Sequence, residues 1–323
     1  MRALLKKNSK PSSLKEGKEF FSAKQGVPEI KIKIKKDSNI RIDRFLSQKI
    51  KLSRSTIKKL FQKKRIKVNE KFERVSYKPR KGDKIVIQLK KERKEKLNFL
   101  KKEIIVQETK NYFVVNKPAN IVVLPAPGYR GKKESLKDYL LRNFPFLKKI
   151  KKGGIVHRLD REASGLLLIA KNNKTFRHLQ NLFRERKIKK EYLALVKGNL
   201  KGQGAIDLPI GRSKRGYKMT TDPKEMKTKA KEALTLYKVI KNFSDYTLLK
   251  IKTKTGRPHQ IRVHLASIGY PIEGDKIYSQ SKSELKKRIF LHALKIEFPE
   301  KNNKIKRYKV KLPLELRKFL TPL

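Results

Sequence analysis

The densest chemical signal in the chain is Gly153-Gly154-Ile155-Val156-His157-Arg158-Leu159-Asp160-Arg161-Glu162-Ala163-Ser164-Gly165, which runs into Leu166-Leu167-Leu168-Ile169-Ala170-Lys171. The glycine pair permits a sharp turn, ionisable residues crowd the stretch after it, and the apolar run reads as a buried strand. A carboxylate between arginines at the mouth of a buried strand is placed for chemistry, and Asp160 is the candidate. The same residue types would also serve as a salt-bridge cluster with no chemistry. A second stretch, Lys254-Thr255-Gly256-Arg257-Pro258-His259-Gln260-Ile261-Arg262-Val263-His264-Leu265-Ala266-Ser267-Ile268-Gly269, reads as a short helix. Pro258 suits its first position, Ile261, Leu265 and Ile268 form an apolar stripe, and Gly269 suits the residue after its end. At ~100° per residue His259 and Arg262 lie ~60° apart and His259 and His264 ~140° apart, so the pattern argues against a two-histidine metal site and turns Arg262 to one side with His259. Tyr192, within Glu191-Tyr192-Leu193-Ala194-Leu195-Val196, is either a core aromatic or a stacking surface.

Composition limits the reactions open to such a site. The chain has 323 residues and no cysteine, which excludes a thiolate nucleophile, a disulfide framework, a zinc finger and an iron–sulfur centre. Its 87 Lys and Arg against 29 Asp and Glu leave a net charge of +58, a surplus that calls for an anionic partner. No apolar stretch approaches the ~20 residues that span a bilayer, and the N-terminus lacks a secretory apolar core, so a cytoplasmic protein without membrane association is expected. The cationic excess is spread along the whole chain and is mostly lysine, 65 against 22 arginines. Charge therefore points to a polyanion without choosing which.

The elements that would hold these residues fall into two groups. Residues 1–29 mix Lys, Ser, Pro and Gly without a period and read as a mobile basic arm. Residues 30–90 carry a strand-like alternation at Ile30-Lys31-Ile32-Lys33-Ile34, a helix with Ile42, Phe45 and Leu46 on one face, and a second helix opened by Ser53 and carrying Ile57, Leu60 and Phe61. Short strands at Ile66-Lys67-Val68 and Lys84-Ile85-Val86-Ile87 follow, the latter after a Lys81-Gly82-Asp83 turn. Residues 91–102 read as a charged linker, and strand patterns such as Tyr112-Phe113-Val114-Val115 open a second domain over 103–323. The class expected is α+β.

Two resemblances then apply. Arg41-Ile42-Asp43-Arg44-Phe45-Leu46, Leu52-Ser53-Arg54-Ser55, Arg65-Ile66-Lys67-Val68-Asn69 and Lys81-Gly82-Asp83, in that order, resemble an S4 domain, a small αβ RNA-binding module. On that reading Arg44, Arg54, Lys58 and Lys59 line helix faces and helix starts toward phosphates. More specifically, five stretches in order resemble the RluA family of bacterial pseudouridine synthases over about 103 to 323. They are Asn116-Lys117-Pro118-Ala119, His157-Arg158-Leu159-Asp160 with Ser164-Gly165-Leu166-Leu167, Lys190 to Val196, Thr255 to Leu265, and Phe290-Leu291-His292-Ala293, with Lys311-Leu312-Pro313 near the end.

That resemblance implies a catalytic domain with a mixed, largely antiparallel central sheet flanked by helices. It also implies isomerisation of uridine to pseudouridine in RNA, with no cofactor and no metal. Asp160 matches the catalytic aspartate, which adds to the sugar or the base or stabilises a cationic sugar. Arg262 matches the arginine that pairs with it, Tyr192 the active-site tyrosine, and Arg158 the residue that fills the space left by a flipped uridine. Lys117, His157, His259 and His292 fall in motif positions as structural or RNA-positioning residues. The arrangement with an S4 domain points to 23S ribosomal RNA as substrate, with transfer RNA the other candidate; a monomer is expected. Ala163, Pro258, Asn120 and Leu124 depart from the common pattern; Asn120 and Pro258 suit their backbone positions, whereas Ala163 and Leu124 remove hydrogen-bonding groups. A non-catalytic RNA-binding or ribosome-assembly protein on the same scaffold is the alternative, and a base-releasing glycosidase would need a second, suitably placed acid.

Overall fold

Apolar residues close a main core in each of two units, and a small third cluster forms around Ile210, Ala233 and Val263. The computed structural model describes residues 20–24, 27–50, 52–88, 96–97, 101–125, 134–216, 218–279, 283, 285, 288–300 and 303–323, and divides into Met1–Arg93 and Lys94–Leu323. The first unit comprises β1 (Phe20–Lys24), β2 (Val27–Lys33), α1 (Ile42–Lys49), α2 (Arg54–Gln62), β3 (Ile66–Val68) and β4 (Lys84–Gln88). Its antiparallel sheet runs β1-β2-β4-β3. Ile42 and Leu46 of α1, Ile57 of α2 and the inward positions Ile66, Val68, Ile85 and Ile87 make the core, as the 3.6 and 2 periods require. The Ser53 hydroxyl accepts from the Thr56 N–H at 3.2 Å and caps α2. Gly82 takes φ 93°, and after it Asp83 accepts from the Tyr77 hydroxyl at 2.7 Å, Asn69 Nδ2 at 2.8 Å and the Arg80 N–H at 2.8 Å, which fixes the turn. Of the expected basic arm, residues 1–19, 25 and 26 lie outside the described residues. Phe20–Lys24 departs from the expectation: as β1 it pairs with Val27–Lys31 and covers what would otherwise be an edge strand.

The second unit contains α3 (Lys101–Ile104), β5 (Ile105–Glu108), β6 (Tyr112–Lys117), α4 (Leu136–Asn143), β7 (Ser164–Ala170), α5 (Asn173–Arg184), β8 (Lys189–Lys197) and β9 (Gln203–Asp207). It continues with β10 (Gly211–Arg212), β11 (Met219–Thr220), β12 (Leu234–Asn242), β13 (Tyr246–Thr253), α6 (Gln260–Ser267), β14 (Leu291–Pro299), β15 (Ile305–Lys309) and α7 (Leu314–Leu320). A nine-stranded sheet of order β5-β6-β7-β14-β8-β13-β12-β9, with β15 on β14, forms the spine. Only the β7–β14 pairing is parallel, so the architecture is the expected α+β fold with a mixed, largely antiparallel sheet. β7 is buried along its whole length, which explains an unbroken apolar run in place of alternation.

Two positions need glycine. At Gly165, φ is 115° and a Cβ would lie 2.3 Å from the Ala293 carbonyl oxygen, where β7 and β14 run together. At Gly154, a Cβ would lie 2.1 Å from the Ala170 carbonyl oxygen. The charged stretch 91–102 is not wholly a linker: Leu97 is buried in the second core, its N–H donating to Glu134 at 3.0 Å and its carbonyl accepting from Arg142 at 2.9 Å. Its apolar side chain outweighs the charges around it. Among the described residues no helix is long and apolar enough to cross a membrane.

Candidate active site

Asp160 sits in the irregular segment that enters β7, and three contacts hold that segment. His157 Nε2 accepts the Leu168 N–H at 3.0 Å while its ring lies 4.6 Å from that of Phe183. Burial, aided by the charge of Lys190, pushes the His157 pKa well below its ordinary value, so the imidazole is neutral with its proton on Nδ1. Lys117 at the end of β6 is fully buried and donates to the carbonyls of Pro118 at 2.8 Å, Ile121 at 3.1 Å and Arg161 at 3.1 Å. It thereby clamps the residue that follows Asp160. Burial first, then the charge of Arg288, pulls the Lys117 pKa down to about 7 against the opposing pull of Asp160 and Glu162. Both side chains hold the backbone of this segment. Asn120, with φ 64°, occupies the left-handed region that Asn tolerates.

Arg262 comes from α6 and is only 1% exposed. Its Nη1 lies 3.3 Å from Asp160 Oδ2 and 3.8 Å from Glu162 Oε2. Its other edge is gripped by Asp275, Nε to Oδ2 at 2.7 Å and Nη2 to Oδ1 at 2.8 Å. The Tyr278 ring lies 5.3 Å from its Cζ. A buried guanidinium needs this much compensation. Burial works against its charge, but the hydrogen bonds and charge of Asp275, followed by Asp160 and Glu162, outweigh that and hold its pKa above the ordinary value. Asp160 Oδ1 carries no hydrogen bond among the described residues, so one carboxylate oxygen is tied and the other is open.

The helix bearing Arg262 starts later than its sequence suggests. Pro258 is not its first residue: His259, at φ 53°, breaks the helical path and α6 begins at Gln260. The buried Gln260 amide donates to the Leu234 carbonyl at 3.1 Å and Thr235 Oγ1 at 3.0 Å and accepts from Thr255 Oγ1 at 2.8 Å, which docks the helix onto β12. His259 Nδ1 meets the Tyr278 hydroxyl at 2.9 Å, and that hydroxyl accepts from the Met219 N–H of β11 at 2.9 Å. His264 lies between Thr235 Oγ1 and the Leu208 carbonyl, both at 2.9 Å, as a structural residue. Among the described residues no group of three His, Asp or Glu is placed to hold a metal ion.

Tyr192 is buried in β8. Registers align Gly165, Ala293 and Tyr192 in one row across β7, β14 and β8, which sets Tyr192 two strand spacings, ~10 Å, from the strand that Asp160 introduces. Lys190 Nζ lies 6.0 Å from its ring centroid. Arg158 is exposed, with no ion-pair partner among the described residues. In the first unit Arg44, Lys58 and Lys59 are exposed on α1 and α2. Arg54 is not free: it lies 3.2 Å from Asp43, a carboxylate that α1 buries completely and that needs a counter-charge.

Sequence reasoning missed Asp275 and Tyr278. The signal available was Glu273-Gly274-Asp275, two of the chain's few carboxylates around a glycine. Gly274 has φ 84°, and a Cβ there would lie 2.0 Å from the Arg288 carbonyl oxygen. It also missed a buried network beside Gly165, in which Arg288 Nη2 donates to Ser164 Oγ at 2.6 Å and Ser164 meets His292 Nδ1 at 2.8 Å. Arg288 also pairs with Glu315 of α7.

The profile of the RNA pseudouridylate synthase family matches residues 111–267, and residues 8–72 match a family of unknown function. The chain is 41% identical to an uncharacterized RNA pseudouridine synthase of Aquifex aeolicus over 77% of this chain and 80% of that protein. It is 35% identical to a ribosomal large subunit pseudouridine synthase D of Borreliella burgdorferi over 88% and 90% of the two chains. Among solved structures, human RNA pseudouridylate synthase domain containing 1 superposes with a TM-score of 0.55 at 26% identity, covering 65% of this chain and 83% of that one.

Proposed function

The chain belongs to the RNA pseudouridine synthase family and forms pseudouridine in RNA, and from that premise we propose that Asp160, Arg262 and Tyr192 carry the reaction on uridines of large-subunit ribosomal RNA. The observation that carries the assignment is the Arg262 guanidinium, held by Asp275 on one edge and offering Nη1 to Asp160 on the other. Asp160 then presents a carboxylate oriented through Oδ2, with Oδ1 open to a nucleoside. Isomerisation breaks the bond from sugar C1′ to uracil N1, turns the base and joins C1′ to C5. A carboxylate at this point adds to the sugar, adds to the base, or stabilises the cationic sugar while the base turns.

Tyr192 offers a ring to stack on uracil and a hydroxyl to assist loss of the C5 proton. Arg158, exposed two residues before Asp160, is suited to fill the gap left when the uridine leaves its stack. Large-subunit RNA is the substrate named for the Borreliella burgdorferi relative, which is alike over nearly the full length of both chains. For the first unit we propose an S4-type RNA-binding role through Arg44, Lys58 and Lys59, supported by the helix pair, the Ser53 cap and the turn at Asp83.

The test is release of tritium from bacterial large-subunit ribosomal RNA labelled at uracil C5. The wild type releases tritium and forms pseudouridine. Asp160→Ala releases none while binding the RNA within about twofold of the wild type. Free uracil as product, or release undiminished in Asp160→Ala, would overturn the assignment.

A further inference from the structure

Helix α6 is docked on β12 at Thr235, on the face of the β8–β13–β12 sheet that also bears Tyr192 and Ile251; the opposite face carries Lys238, Lys250 and Lys252 among leucines. Lys250 of β13 stands directly opposite Lys238 of β12. In the next row Lys252 stands opposite Glu191 of β8, which in turn faces Lys295 of β14. Lys238, Lys250 and Lys252 are exposed and make no ion pair among the described residues. Like charges directly opposite on a sheet repel and destabilise the pairing. Three unpaired cations thus stand together on this face.

The face runs into a groove of about 290 Å³ at the ends of the strands, where Lys189, Lys190, Lys252 and Lys254 join Lys295 around Glu191 and Glu297. Glu297 is already engaged by Lys295 at 2.5 Å and Arg307 at 3.4 Å, so the groove keeps an uncompensated positive charge. It also leads back to the chemistry: Lys190 overhangs the Tyr192 ring, and its Nζ lies 3.9 Å from where a Cβ on Gly256 would stand, at the start of the segment that carries Arg262.

We infer that this groove and the Lys252, Lys250 and Lys238 face behind it bind the phosphodiester backbone of the RNA strand flanking the target uridine, carrying it around the end of the sheet to the side opposite the active site. Lys250 and Lys252 alternate on one strand with a spacing of ~6.8 Å, and the rows lie ~4.8 Å apart, so the cations form a two-dimensional array suited to a continuous anion rather than to a single phosphate. The inference rests on the RNA-modifying reading above, and it adds a second RNA surface away from Asp160.

The experiment compares the full chain with the triple variant Lys189→Gln, Lys250→Gln, Lys252→Gln. A control triple, Lys148→Gln, Lys149→Gln, Lys151→Gln, removes the same charge from exposed lysines elsewhere. The probe is a bacterial large-subunit ribosomal RNA transcript, with binding measured across salt concentrations and turnover at saturating RNA. Three lost phosphate contacts lower the slope of log affinity against log salt by ~2; the face triple shows this drop and weaker binding, the control triple does not, and turnover at saturation is unchanged in both. Unchanged affinity and slope in the face triple, or an equal change in the control, would overturn the inference. Absence of pseudouridine with the wild type would instead overturn the substrate reading, so the two failures are distinguishable.

Discussion

Asp275 holds Arg262 in a two-pronged grip, 2.7 Å at Nε and 2.8 Å at Nη2, so that only Nη1 is turned to Asp160. The fork is planar and both partners are buried, and it fixes the guanidinium in plane and rotation. Arg262 therefore acts as an oriented donor at a distance of 3.3 Å from the Asp160 carboxylate.

Asp275→Asn removes the charge of that grip without changing its size. Turnover is expected to fall, because the guanidinium is no longer held in the orientation that turns Nη1 to Asp160. Unfolding free energy is expected to fall by ~3–5 kcal/mol, because a guanidinium is left buried with less compensation. The double variant Arg262→Met, Asp275→Leu recovers most of that stability in urea unfolding but none of the turnover, which separates a catalytic cost from a folding cost. Full turnover in Asp275→Asn would remove the orienting role.

Tyr192 divides into a ring and a hydroxyl. Tyr192→Phe keeps the ring and is expected to bind RNA as the wild type does while releasing C5 tritium more slowly. Tyr192→Leu also loses the stack, worth ~1–3 kcal/mol for a base on an aromatic ring, and is expected to weaken binding to substrate RNA in addition. Equal rates for Tyr192→Phe and the wild type would leave the hydroxyl without a chemical part.

Legibility in the sequence follows the range of the interaction. Segments whose pattern is set by burial alone could be read directly: β7 from its apolar run, and α2 from Ser53 and the Ile57, Leu60, Phe61 face. The apolar stripe turns Arg262 to one side with His259, although the helix begins at Gln260 because of side-chain bonds to β12, which no local pattern announces. Asp275 escaped notice because its role is a long-range pairing 13 residues from Arg262, and a carboxylate beside a glycine looks like any turn. Leu97 stands among lysines in sequence, and its place in the core depends on distant apolar neighbours and on Glu134 and Arg142, which bond its backbone.

Gly165→Ala tests the close approach of β7 and β14. The new methyl would stand 2.3 Å from the Ala293 carbonyl oxygen at a φ of 115°, so the strands must separate or the backbone must strain. Because Ala293 also pairs with Tyr192 on β8, the displacement reaches the active-site row. A loss of several kcal/mol is expected, on the order of the larger single-residue effects, seen as a lowered thermal midpoint or failure to fold. A variant as stable as the wild type would mean that the parallel pair tolerates more space than its geometry allows.

His292 predicts how stability responds to acid. Burial first, then the positive charge of Arg288, lowers its pKa from 6.5 to about 4, and the neutral ring shares a hydrogen bond with the Ser164 hydroxyl at Nδ1. The unfolded chain binds a proton near 6.5 and the folded chain only near 4, so between these values the unfolded state carries more protons and stability rises with pH. The contribution is full above about 6.5, is lost progressively as pH falls toward 4, and amounts to ~3 kcal/mol. Urea unfolding midpoints measured from pH 7.5 to 4 should therefore decline through that window. His292→Gln, which keeps an acceptor for Ser164 but cannot take up a proton, should flatten the decline. Some slope remains in that variant, because His157 is likewise held neutral and acts in the same direction. A decline of the same steepness in His292→Gln would place the acid sensitivity elsewhere in the fold.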